Sequence, residues 1–207
     1  MSQGSSVEGS PHRPDVAGWV QRAGTGRRWW PAIAVLGVML AVTLGGFVVA
    51  AALAEPAGQA VAIPGVVSVQ PLSGWEPAEP GTLEGRPFVR ITRGNGTLAA
   101  VDWGPAPGDA VALASEVRDR WLSASLDRLT ASETFTPVSL DQGLEGQRFT
   151  FVGVDPSSGT AVEGEVTAVV DPAGQGVVFV GLAPEGLLAF IDGDLQTMVR
   201  RATVGAP

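Results

Sequence analysis

Residues 31–54 read PAIAVLGVMLAVTLGGFVVAAALA, 24 consecutive positions without a charge. A helix of a soluble domain rarely runs this long without one polar face, because it needs a solvated side. As an α-helix the segment is about 36 Å long, more than the ~30 Å hydrocarbon core of a bilayer. The expectation is therefore a transmembrane helix over 27–54, and the flanks give its direction. Arg13, Arg22, Arg27 and Arg28 precede it against Glu8 and Asp15, whereas Glu55, Glu76 and Glu79 follow it with no basic residue before Arg86. Arginine-rich flanks stay in the cytoplasm, which puts the N-terminus inside and the larger C-terminal part outside. Arg27, Arg28, Trp29 and Trp30 fall at the membrane interface, where the amphipathic indole rings favour the headgroup layer, and Pro31 suits a first helical turn whose N–H groups lack partners anyway.

The Ala52-Leu53-Ala54 triplet and the Arg27-Arg28 pair also fit a cleaved leader. However, the apolar run exceeds the roughly 7 to 15 residues of a typical leader core, so a retained anchor in the plasma membrane is expected. A lipid anchor needs a cysteine, and the chain has none. Within the span, Ala41 and Gly45, and separately Gly46 and Ala50, are small residues four apart, the spacing that lets two helix backbones approach closely in lipid. A homodimer through this helix is the corresponding expectation, although a chain with 28 glycines produces such pairs by composition alone.

The remainder divides by composition. Residues 1–26 are rich in Ser, Gly, Pro and Arg without periodicity and read as a disordered cytoplasmic tail. Residues 55–63 read as a linker of small residues, and 64–204 as one exterior domain. Beyond residue 54 there are 19 acidic residues and 9 arginines, a net charge of −10. Such a domain repels nucleic acid and anionic headgroups. Without cysteine it must be held by a core and not by disulfides.

Hydrophobic periodicity in the exterior part alternates between sheet and helix. Val67 and Val69 read as a strand that ends in the bend PLSGWEP. Val89 and Ile91 alternate with Arg90 and Thr92, Asn95-Gly96 reads as a tight turn, and 98–103 returns as the second arm of a hairpin. Asp109 is placed to cap a helix with Ala110, Ala114, Val117, Trp121 and Ala124 on one face and a Glu116–Arg120 pair on another. An extended segment over 129–140 is interrupted by Pro137, and strands over 147–154, 161–170 and 177–182 are joined by DPSSG and DPAGQG turns. Leu188, Ile191, Leu195, Met198 and Val199 follow helical spacing, with Arg200 and Arg201 at the end where the dipole favours cations. The order predicts an α+β fold, an antiparallel β-sheet flanked by helices, with Trp75, Trp103 and Trp121 facing its core.

The strand followed by PLSGWEP, the hairpin ending in Asp102 and Trp103, the single mid-chain helix, the three-stranded meander and the closing helix resemble the PsbP-like superfamily, and within it the actinobacterial LpqN-type envelope proteins. The resemblance covers about residues 66–204. It implies an extracytoplasmic accessory or binding domain, a PsbP-like α/β sandwich. Two departures matter: LpqN-type relatives are tethered through a lipidated cysteine, absent here, and the only histidine of this chain is His12, in the tail. No metal or cofactor site is carried over.

With no Cys and no His beyond the span, a Ser/His/Asp triad, a Cys/His dyad and a typical zinc site are excluded from the exterior domain. Carboxylate chemistry survives. Glu163 and Glu165 stand two apart on a strand and share a face, although alternation with Thr167 reads more simply as a solvated strand face. Asp192 and Asp194 read as helix-start residues, and DPSSGTAVEGE reads as a hairpin loop, its glycine at position five where a calcium loop needs it at six.

No catalytic residue, cofactor or metal is assigned. The reading is a non-catalytic, single-pass accessory protein of a bacterial cell envelope whose exterior domain binds another envelope protein or a small apolar ligand. The alternatives are a transmembrane relay with a phosphorylatable tail and, behind it, a carboxylate-dependent hydrolase.

Overall fold

A computed structural model describes residues 58–205. The expected tail and membrane span, the interface residues Arg27, Arg28, Trp29 and Trp30, and the Ala41/Gly45 and Gly46/Ala50 pairs lie outside the described residues. Among the described residues no helix is long and apolar enough to cross a membrane.

The fold is built on a hairpin and a meander that meet side by side. Strands β3 (Glu76–Leu83), β4 (Arg86–Arg93) and β5 (Gly96–Pro105) run antiparallel, and β8 (Glu145–Val154), β9 (Ala161–Val170) and β10 (Gln175–Pro184) do the same. β10 pairs with β5, giving the order β3-β4-β5-β10-β9-β8, and β6 (Asp127–Ala131) and β7 (Thr136–Ser139) pair with successive parts of β8 at the far edge. A second, three-stranded sheet is made of β1 (Val61–Ile63), β2 (Val67–Val69) and β11 (Thr203–Val204). Thus the last three residues of the expected linker are a strand, too short for alternation to announce it.

Two outer strands are irregular. β3 carries Pro77 and Pro80, is mostly exposed, and loses register between Ala78 and Gly81. At the other edge the pairing is divided between two short strands, one of which contains Pro137.

The β4–β5 hairpin turns at Gly94-Asn95, one residue earlier than the Asn95-Gly96 turn expected from sequence. Gly94 takes a φ of +55°, which costs glycine little, and Gly96 is left to open β5 opposite Arg93.

Because successive side chains alternate across a strand, each core strand feeds two separate cores. Leu98 and Ala100 of β5 with Val177 and Phe179 of β10 belong to one; Val101 and Trp103 with Val178 and Val180 belong to the other. The first core is closed by the small sheet and by α3 (Asp192–Arg201), which follows a 3-10 turn at Leu188–Phe190. Leu195 and Met198 of α3 are fully buried, and α3 sits so near β10 that a Cβ on Gly181 would lie 2.6 Å from Leu195.

The second core is covered by α1 (Ala110–Glu116), whose N-cap Asp109 accepts from the Ala112 N–H at 2.9 Å as expected. α1 packs over β8 and β9. Strands spaced about 4.8 Å apart put the outer strands of this sheet nearly 30 Å from each other, while a helix with its side chains is only about 10 Å wide. One helix on this face leaves the β3–β5 end of it without a lid.

Candidate functional site

The uncovered end of the α1 face is a pocket of about 370 Å³. Its floor is formed by alternate residues of three strands: Phe88 and Arg90 of β4, Thr97, Ala99 and Val101 of β5, and Val180 and Leu182 of β10. Leu83 of β3 and Phe151 of β8 border it, and Trp121, Leu122, Ser125 and Leu126 form the wall toward the helix. Ten of these thirteen residues are apolar, and the three others are Arg90, Thr97 and Ser125.

A local change in helix geometry shapes that wall. α1 continues into a π-helical stretch at Val117–Leu122 and then α2 (Ser123–Ser125). The wider turn advances the buried face by one residue, so Leu113, Ala114, Val117 and Leu122 are buried. Trp121, which regular α-helical spacing places on the core face with Ala124, is instead half-buried at the pocket edge, and Ala124 is exposed. The expected Glu116–Arg120 pair is replaced by Arg118–Asp119 at 2.7 Å. A π-turn within an α-helix recurs at functional sites because it re-aims side chains in this way.

Behind Trp121 stands Trp103, its ring centroid 6.1 Å away and nearly perpendicular. The Arg86 guanidinium lies 3.9 Å from the Trp103 centroid and 3.8 Å from Glu84. Arg86, Phe88 and Arg90 share one face of β4, so two guanidiniums bracket the aromatic floor. Only Arg86 has a carboxylate within ion-pair distance; the Arg90 guanidinium has no ion-pair or hydrogen-bond partner among the described residues. No Asp or Glu lines the pocket.

No family model matches the chain, and no curated protein does. Among solved structures it is similar to a point mutant of protein Mog1, with 12% identity over 72% of this chain and 96% of that one and a TM-score of 0.47. It is similar also to cyanobacterial PsbP (CyanoP) from Synechocystis sp. PCC 6803, with 12% identity over 72% of this chain and 99% of that one and the same TM-score of 0.47. The likeness is one of fold.

The carboxylates singled out in the sequence lie on the opposite face, under and beside α3. Glu165 and Thr167 are not a solvated strand face: they are 4% and 3% exposed, covered by the first turns of α3. Burial, then the negative charge of Asp192, push the Glu165 carboxyl up to about 7, while Arg148 at 3.6 Å opposes the rise. Asp192 shares a hydrogen bond with Glu165 and also accepts from Gln196 Nε2 at 2.7 Å. Glu163 diverges from its neighbour and accepts from the Leu188 N–H, holding the 3-10 turn.

Asp194 accepts from Trp75 Nε1 at 3.0 Å and pairs with Arg93, tying the start of α3 to the bend after β2 and the end of β4. Each of these acids is engaged in seating α3. Among the described residues no three His, Asp or Glu side chains come together as a metal set. The DPSSG segment is a hairpin loop in which Asp155 accepts from the Ser157 N–H and from the Ser157 and Ser158 hydroxyls, all at 2.8 Å.

The pocket itself was not legible beforehand. Its residues come from five strands and the helical wall, spread over about 100 positions, and no single stretch carries its signature. The nearest local sign is Trp121 two residues before a Ser-Ala-Ser run, whose hydroxyls turn back on the helix: Ser123 donates to the Asp119 carbonyl at 2.7 Å and Ser125 to the Trp121 carbonyl at 2.8 Å.

Proposed function

We propose that this chain is a non-catalytic accessory protein of the bacterial cell envelope. It is anchored in the plasma membrane by residues 27–54, and its exterior domain binds a small apolar ligand in the pocket between the β4–β5 hairpin and the π-helical turn. The observation that carries the ligand reading is the pocket: about 370 Å³, concave, and walled by aliphatic and aromatic side chains with few polar groups, the usual composition of a small-molecule site. The anchor reading rests on the 24-residue uncharged run and on the excess of arginine before it.

A photoreactive long-chain alcohol tests the pocket on the full chain in zwitterionic nanodiscs. Labelling is expected on the peptides that carry Phe88 and Trp121, and Ala99→Trp, which fills the floor, is expected to abolish it. Labelling spread evenly over the exterior domain, or unaffected by Ala99→Trp, refutes the assignment. For the anchor, protease added to intact spheroplasts should digest the exterior domain and spare the tail; recovery of a soluble form beginning at Glu55 reverses it.

A further inference from the structure

Resting on the pocket reading above, we infer that the ligand class is a single-chain amphiphile with an anionic head, a long-chain carboxylate, bound with its chain on the Phe88–Val180 floor and its head on Arg90. The inference stands on charge complementarity. The exterior part of the chain carries a net charge of −10, so its surface as a whole repels anions. The pocket departs from that surface: no carboxylate lines it, and its one charged residue is an arginine.

Arg90 is solvent-exposed and its guanidinium lacks any ion pair or hydrogen bond among the described residues, whereas its neighbour on the same strand face, Arg86, is already committed to Glu84 and to the Trp103 ring. A guanidinium presents a planar fork that matches a carboxylate with two parallel hydrogen bonds. β4 is next to the outer strand, so the cation stands toward the rim while Trp121 and Leu122 wall the pocket on the helix side. An apolar body with one acidic end uses both features. A neutral chain of equal length uses only the first.

The test compares two photoreactive probes of equal chain length, a dodecanoic acid and a dodecanol, on the full chain in zwitterionic nanodiscs. The acid is expected to label the Phe88 and Trp121 peptides at about one tenth of the concentration the alcohol requires. Arg90→Gln should erase the difference between acid and alcohol, and Arg90→Lys should keep part of it. Because Arg90 is exposed, an unchanged thermal melt is expected for both variants and serves as the folding control.

Equal labelling by acid and alcohol in the natural sequence, or a difference that survives Arg90→Gln, overturns the carboxylate assignment and leaves the pocket reading standing. Absence of labelling by either probe overturns both.

Discussion

The two faces of the eight-stranded sheet differ in how completely they are covered. The α3 face holds polar cargo, Glu165 and Thr167, and is shut: the small sheet and α3 cover it, and Glu163, Asp192 and Asp194 are spent on fastening the cover. The α1 face is lined with hydrocarbon and is partly open, because one helix cannot span it. Polar side chains therefore mark the structural seam, and the open apolar surface holds the pocket proposed for a ligand.

The sharpest way to break this comparison is a pair of tryptophans. Trp75, 2% exposed on the shut face, should cost about 3 to 5 kcal/mol when changed to Ala. Trp121→Ala, at the open face, should cost about half as much and abolish ligand labelling. Denaturant unfolding followed by circular dichroism measures the first and photolabelling the second. Equal stability losses, with labelling intact, would erase the distinction.

Next in size is the pH dependence of the shut face. Folding raises the Glu165 carboxyl from an ordinary value near 4.5 to about 7. Between those values the folded chain holds a proton that the unfolded chain has released, so stability falls as pH rises through this window and levels off above it. The full gap corresponds to about 3 kcal/mol. Glu165→Gln should flatten the profile and raise stability at pH 8 relative to the natural sequence, as measured by urea midpoints from pH 5 to 8; a profile with unchanged slope would show that the carboxyl is not the group responsible.

A smaller contrast comes from adding carbon to each face. Gly181→Ala sets a methyl group 2.6 Å from Leu195, which is fully buried and has nowhere to go, and should cost about 1 to 3 kcal/mol. Ala99→Val grows into the pocket and should change stability by no more than about 0.5 kcal/mol. Thermal melts of the two variants decide it: similar losses would mean that the open face has no spare room. The smallest effect concerns the helix itself. Asp109→Ala removes the cap on Ala112 and should cost about 1 kcal/mol, with faster hydrogen exchange confined to α1; exchange spread over the sheet would contradict a local cap.

Much of the α+β architecture is legible in the sequence because it rests on local signals. The hairpin arms, the three meander strands, the Asp109 cap and the closing helix are each written in alternation, turn residues or 3.6-residue spacing. β3 is not, since EPAEPGTL has two prolines and no alternation; it is a strand only because β4 supplies the partner. The π-turn is equally hidden, and it leaves Trp121 half-buried, packed against the second core from the pocket wall. Alternation correctly puts Glu163 and Glu165 on one face but says nothing of what lies above them, and α3 arrives there from 27 positions further on.

The irregular outer strands bear on behaviour at high density. A straight strand with its N–H and C=O groups unpaired invites another chain to add to it, and crowded copies meet often. On β3 the two prolines delete donors from the exposed row and the register break bends what is left, while the opposite edge is cut into two short pieces. Neither edge offers a continuous template for cross-β growth, so copies packed side by side can collide repeatedly without seeding fibrils.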